Sequence, residues 1–111
     1  MIALDNIESI HNTAKAAAYK ASMEFFYDKL GGKDQFACGF AWVTVYEKAS
    51  TKLGRALKAV GFSKSYSGGL QLWNPSGMFV QNVDTLEAGA EAYAKVLKEF
   101  GIEAYAGSRL D

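Results

Sequence analysis

Cysteine, histidine and proline each occur once in this 111-residue chain. The single Cys38 excludes an intramolecular disulfide and any cysteine-rich metal knuckle, and it favours a reducing compartment. One histidine and one cysteine make no zinc site without a suitable carboxylate cluster, and none has the spacing, so neither metal nor cofactor is expected. Net charge is missing too. Twelve basic and twelve acidic side chains cancel, which excludes a polybasic nucleic-acid arm or an acidic DNA mimic as the dominant character. The longest charge-free stretch, Ser65 to Val83, is broken by Gly68, Gly69, Gly77 and Pro75 and cannot form a membrane span. Met1 to Glu8 carries acids where a secretory signal would carry Lys or Arg, so a cytoplasmic protein is expected. Gly31-Gly32 and Gly68-Gly69 match neither a Walker A loop nor a dinucleotide-binding fingerprint.

What is present is enough apolar material for one core. Half of the residues are hydrophobic, and a chain of this length buries roughly two thirds of its unfolded surface without metal or disulfide staples. Residues 1–111 read as a single domain. Asp5 and Glu8 have capping-box spacing, and from Asn6 to about Leu30 a helical face runs through Ile7, Ile10, Ala14, Ala17, Ala21 and Phe25 until Gly31-Gly32 stops it. A second apolar strip, Tyr19, Met23, Phe26 and Leu30, marks this helix as sandwiched or shared with another subunit.

Phe36 to Tyr46 alternates as a strand. Ala37, Gly39, Ala41, Val43 and Val45 form a small-residue face, the natural bed for the alanine-rich helix, and Phe36, Cys38, Phe40, Trp42, Thr44 and Tyr46 form the other. Ser50 or Thr51 caps a short helix to Val60, closed by Gly61. Ser67-Gly68-Gly69 and Asn74-Pro75-Ser76-Gly77 have the turn chemistry of a three-stranded meander from Phe62 to Val83. Asp84 with Glu87 caps a last helix with the stripe Leu86, Ala90, Tyr93, Leu97 and Phe100, and Ile102 to Ala106 closes the sheet. The expected fold is a two-layer α+β domain, order α-β-α-β-β-β-α-β, with about five mostly antiparallel strands and helices on one face. The aromatic side of the sheet then lacks a protein layer. It meets a ligand, a partner or its own copy, unless the first helix or the meander folds across it.

Charge is unevenly spread: −2 over residues 1–47, +5 over 48–83 and −3 over 84–111. Cations, ring faces and free backbone N–H groups together suit a phosphate-bearing heterocycle; a solvated helix beside a Gly-rich hairpin gives the same pattern. The residues singled out for a small anionic ligand are Trp42 and Trp73 for stacking, Lys52, Arg55 and Arg109 for phosphate, and Gly68, Gly69 and Gln71 for backbone and polar recognition. Arg109, read as leaving the last strand, clamps an anion or pairs with Asp111. Tyr19, Met23, Phe26, Phe36, Phe40 and Tyr46 are the expected interface of a homodimer or higher oligomer. His11 and Cys38 are the material for a thiol nucleophile and base, but nothing in their spacing brings them together and burial among aromatics would leave the thiol inert. No catalytic residue is assigned.

Cys38-Gly39-Phe40-Ala41-Trp42-Val43, then Gly68-Gly69-Leu70-Gln71-Leu72-Trp73-Asn74-Pro75 and Ser108-Arg109-Leu110-Asp111, resemble small uncharacterised proteins of tailed bacteriophages. The similarity runs from about Phe36 to the C-terminus. It implies a setting, the cytoplasm of an infected bacterium, where such accessory proteins act by binding a host protein or a signalling nucleotide of a defence system. The expected function is a non-catalytic binding module for a nucleotide-like anion; the alternative is an inhibitor that docks a host enzyme through its aromatic face. Extended nucleic acid is the less favoured partner.

Overall fold

A computed structural model describes residues 6–66 and 68–111. The elements are α1 (Ile7–Leu30), β1 (Gly39–Val45), α2 (Lys52–Ala59), β2 (Ser63–Lys64), β3 (Leu70–Trp73), α3 (Val83–Glu99) and β4 (Tyr105–Leu110). The four strands form one antiparallel sheet in the order β2-β3-β1-β4. The fold is α+β in one compact unit. Among the described residues no helix is long and apolar enough to cross a membrane.

β1 is central because its two faces do different work. Ala41, Val43 and Val45 are buried in a core shared with Ile10, Ala14 and Ala18 of α1, Leu57 of α2 and Leu86, Ala90, Tyr93 and Leu97 of α3. All three helices therefore lie on that side. The expected bed is corrected in one respect: α3 packs on β1 and β4, and α1 packs mainly on α3. The buried line of α1 runs through Ala18 and Ser22, where Ala17 and Ala21 were expected. Gly89 explains the shift. An added Cβ there would meet the Ser22 hydroxyl and lie 2.8 Å from Ser76 Cβ, so the helices touch backbone to backbone where α3 has no side chain. The Ser22 hydroxyl donates to the Thr85 carbonyl at 2.7 Å, a polar bolt that an apolar periodicity does not reveal.

The helix ends show which signals won. Gly31 takes the left-handed conformation (φ 64°) and stops α1, and Thr51 caps α2 through its hydroxyl, which accepts from Gly54 N–H at 3.0 Å. Asp5, half of the expected first cap, lies outside the described residues, as does Ser67 of the hairpin turn. Asp84 does not cap α3. Asn82 does, two residues earlier, accepting from the Thr85 N–H at 2.8 Å while its amide donates to the Gln35 carbonyl. Asp34 accepts from the N–H groups of Gln81 and Asn82, so the loop after α1 grips the start of α3.

Three strand expectations are also corrected. Phe36 has φ 67° and lies before β1, exposed. Met78 to Val83 forms no strand of its own, because β3 already occupies β1 from Trp42 to Val45. Only its end reaches the sheet, through the Cys38–Asn82 bridge and the Gly39 N–H to Gln81 carbonyl bond. The last strand begins at Tyr105, so Arg109 sits inside β4 opposite Phe40. Phe100, expected in the core, is about half exposed just past the end of α3.

Candidate functional site

Among the described residues the other face of the sheet carries no helix. Trp42 and Trp73 are directly opposed across β1 and β3, with ring centroids 5.0 Å apart and planes tilted by 38°. Phe40 meets Trp73 edge-on at 6.1 Å, and the Arg109 guanidinium lies 5.5 Å from the Phe40 ring centre. A guanidinium over a ring keeps its N–H donors free at the edge, where they can take an anion. Trp73 is 47% exposed and Tyr46 65%, so large parts of both side chains meet water. Toward the other end, Tyr46 and Tyr105 pair at 5.9 Å, and the Gln71 amide donates to the Thr44 hydroxyl at 3.5 Å.

Gly107 sets the lie of the first tryptophan. It is opposite Trp42 on β4, and a Cβ there would be 2.6 Å from Trp42 Nε1. The missing side chain lets the indole lie down across the neighbouring strand. Beside Phe40 and Trp73 a groove of about 420 Å³ opens where β3 turns away from β1. Its lining includes Cys38, Met78, Phe79, Val80 and Gln81. Cys38 is exposed at this groove, contrary to the expected burial, with Gln81 as its neighbour.

The expected ligand residues divide between places. Trp42, Trp73, Gln71 and Arg109 share the open face, and Gly69 borders it against Tyr46, where a Cβ would fall 2.7 Å from the Val45 carbonyl oxygen. Gly68 is at the exposed turn before β3. Lys52 and Arg55 point to solvent from α2, whose Leu57 belongs to the core on the opposite side of the sheet. Of the expected interface residues, Phe40 and Tyr46 are on the aromatic face and Phe36 on the loop before it. Tyr19, Met23 and Phe26 lie along α1, Tyr19 exposed and the other two partly covered, while Leu30 of the same strip is buried. Gly107 and Tyr105 were not anticipated. Tyr105 was legible as a candidate from its aromatic ring, but Gly107 carries no functional group and is identified by what it leaves room for.

His11 makes a different kind of site. Its Nδ1 is 2.6 Å from the Tyr93 hydroxyl. Tyr93 is fully buried, and burial pushes its phenol well above the usual range, so it keeps its proton, and the imidazole tautomer sets which of the two groups donates. Burial first, then the nearby Lys15 charge, holds His11 below its ordinary 6.5. The unfolded chain therefore takes up a proton near pH 6.5 that the folded chain refuses, so this pair's contribution is complete above that pH. It is lost as pH falls from 6.5 toward the lowered folded value. Urea midpoints of the wild type should drop between pH 7.5 and 5.5, and His11→Gln should flatten that slope. Equal slopes in the two proteins would refute the assignment.

Comparison with protein-family models, curated proteins and solved structures finds no match, so the function rests on the geometry alone.

Proposed function

We propose that the chain is a non-catalytic binding module that works through the open face of its sheet and takes a small planar anion of nucleotide type. The observation that supports this most is the juxtaposition of Trp42, Trp73 and Phe40 with the Arg109 guanidinium on a surface that no helix among the described residues covers. Stacking on an indole is worth about 1–3 kcal/mol per base, and a bidentate arginine adds the charge-assisted contact that a phosphate or carboxylate needs. Gln71 and the backbone around Gly69 supply polar edges. The role of Lys52 and Arg55 as phosphate contacts is withdrawn from this reading, since they face away from the rings. Two separated cations, Arg109 at Phe40 and Lys98 at Tyr105, also suit a small anion better than a long polyanion, whose affinity grows with each neutralised phosphate.

An accessory protein of a phage, acting in the bacterial cytoplasm against a nucleotide signal, is the setting we propose for this activity. The second reading is capture of a host protein. Its support is that the exposed face is rich in tryptophan, tyrosine and arginine, the residue types that dominate protein–protein hot spots.

The two tryptophans of the chain are both in the proposed site, so their fluorescence reports on it without a label. Titration with AMP, cyclic dinucleotides and ADP-ribose should give saturable quenching by at least one of them. Trp73→Ala and Arg109→Ala should each weaken it about tenfold or more while the circular dichroism stays native, a loss of roughly 1.4 kcal/mol. No change with any of these ligands at low millimolar concentration would refute ligand capture. A stoichiometric host protein, retained by the wild type and lost in Trp42→Asp, would establish the second reading in its place.

A further inference from the structure

We propose that two copies of the chain join through the free edge of β4 into one continuous sheet, with the two-fold axis at Ser108. Among the described residues β4 pairs with β1 alone. The Asp111 N–H donates to the Cys38 carbonyl, which fixes the alternation of the ladder. Residues 105, 107 and 109 turn their backbone groups to β1, and Ala106, Ser108 and Leu110 turn theirs outward. Within Tyr105–Leu110 there is no proline, no lysine and no break in the register, and Arg109 is the one charged side chain.

A two-fold axis perpendicular to the sheet keeps the aromatic side of both copies on the same side, because even residues then pair with even. Centred on Ser108, it sets Ala106 against Leu110 of the second copy, Gly107 against Arg109 and Tyr105 against Asp111. Charge selects this register. The Lys98 ammonium lies 5.6 Å from the Tyr105 ring centre, and with Lys95 and Glu91 it borders a groove of about 410 Å³ along the start of β4, two cations against one acid. Asp111 of the second copy arrives at that cationic end, and the symmetry repeats the contact. Shifting the axis to Gly107 would instead set Glu103 against Asp111, two acids face to face. In the chosen register Arg109 of the second copy also comes beside Trp42, where Gly107 offers no side chain to exclude it, so each tryptophan face gains a cation from its neighbour.

The test is the mass in solution by light scattering coupled to size exclusion, on the full chain. The wild type should elute near twice its 12.0 kDa. Ser108→Pro removes an outward N–H without touching the bonds to β1 and should give the monomer mass, whereas Ser108→Ala, which only loses the hydroxyl contact to Glu87, should remain dimeric. Lys98→Glu should weaken the dimer at least tenfold, and Lys98→Glu with Asp111→Lys should restore it. The charge swap decides the matter if the proline variant misfolds. A wild type that stays monomeric at high micromolar concentration, a Ser108→Pro dimer, or a double variant no better than Lys98→Glu would each overturn the proposal. Fluorescence titration of a monomeric variant reads the ligand separately, so failure of the dimer and failure of ligand capture are distinguishable.

Discussion

Gly89→Val is expected to destabilise the fold by about 3 kcal/mol or more, lowering the melting temperature by roughly 15 °C in a chain of this size. The valine would place carbon against Ser76 Cβ, the Ser22 hydroxyl and the Ala18 carbonyl at once. Two of those neighbours are on α1, so relief requires α1 to lift from α3, and lifting breaks the buried Ser22 to Thr85 bond. An alanine at the same site gains nearly 1 kcal/mol of helix propensity yet meets the same three atoms, so Gly89→Ala should also destabilise, by less. Thermal melts followed at 222 nm measure both. A valine variant melting within a degree or two of the wild type would mean that α1 and α3 do not meet as described.

The second large effect belongs to Asn82→Ala. Asn82 is 1% exposed and its amide satisfies four groups: its oxygen accepts from the Thr85 N–H and hydroxyl, and its nitrogen donates to the Gln35 and Ala37 carbonyls. Truncation deletes the cap of α3 and leaves groups buried without partners, together about 3 kcal/mol. Asn82→Asp keeps the acceptor but loses the donor and buries a charge, so it should rescue little. Asp84→Ala should change stability by well under 1 kcal/mol, because Asp84 is exposed in the first turn and makes no cap. Urea denaturation ranks the three; equal losses for Asn82→Ala and Asp84→Ala would contradict the capping geometry.

Those two asparagine and aspartate positions show where sequence reading stops. Both residues are good caps, and the choice between them was made by Gln35 and Asp34, nearly fifty positions away, which local pattern does not contain. The alternation of β1 was legible because one face is uniformly small and the other aromatic, and Gly31 was legible because few residues tolerate its backbone conformation. The meander failed at its third strand for a reason of space: Phe79 and Val80 have strand-like chemistry, but β1 has one free flank at Trp42–Val45 and β3 holds it. The stacking half of the site, Trp42 with Trp73, followed from reading both as strand residues. Of the three cations read as phosphate contacts, Arg109 lies among the rings, whereas Lys52 and Arg55 do not join them, because charge counted along the chain ignores that α2 packs on the other side of the sheet.

The central place of β1 also governs how the chain reaches its native state. Its neighbours in space are β3 and β4, and the outermost of these pairings joins Gly39 to Leu110, nearly the two ends of the sheet-forming sequence. Closing so long a loop sacrifices chain entropy before any ladder bond repays it, and folds dominated by such distant pairs cross their barrier slowly, in milliseconds to seconds. The α1–α3 contact is equally remote along the chain. Until β4 docks, the second flank of β1 is bare and Trp42 has no glycine to lie upon, so the aromatic face and the native barrier crossing arrive together. Recovery of the tryptophan signal in a stopped-flow refolding trace thus times the completion of the whole sheet.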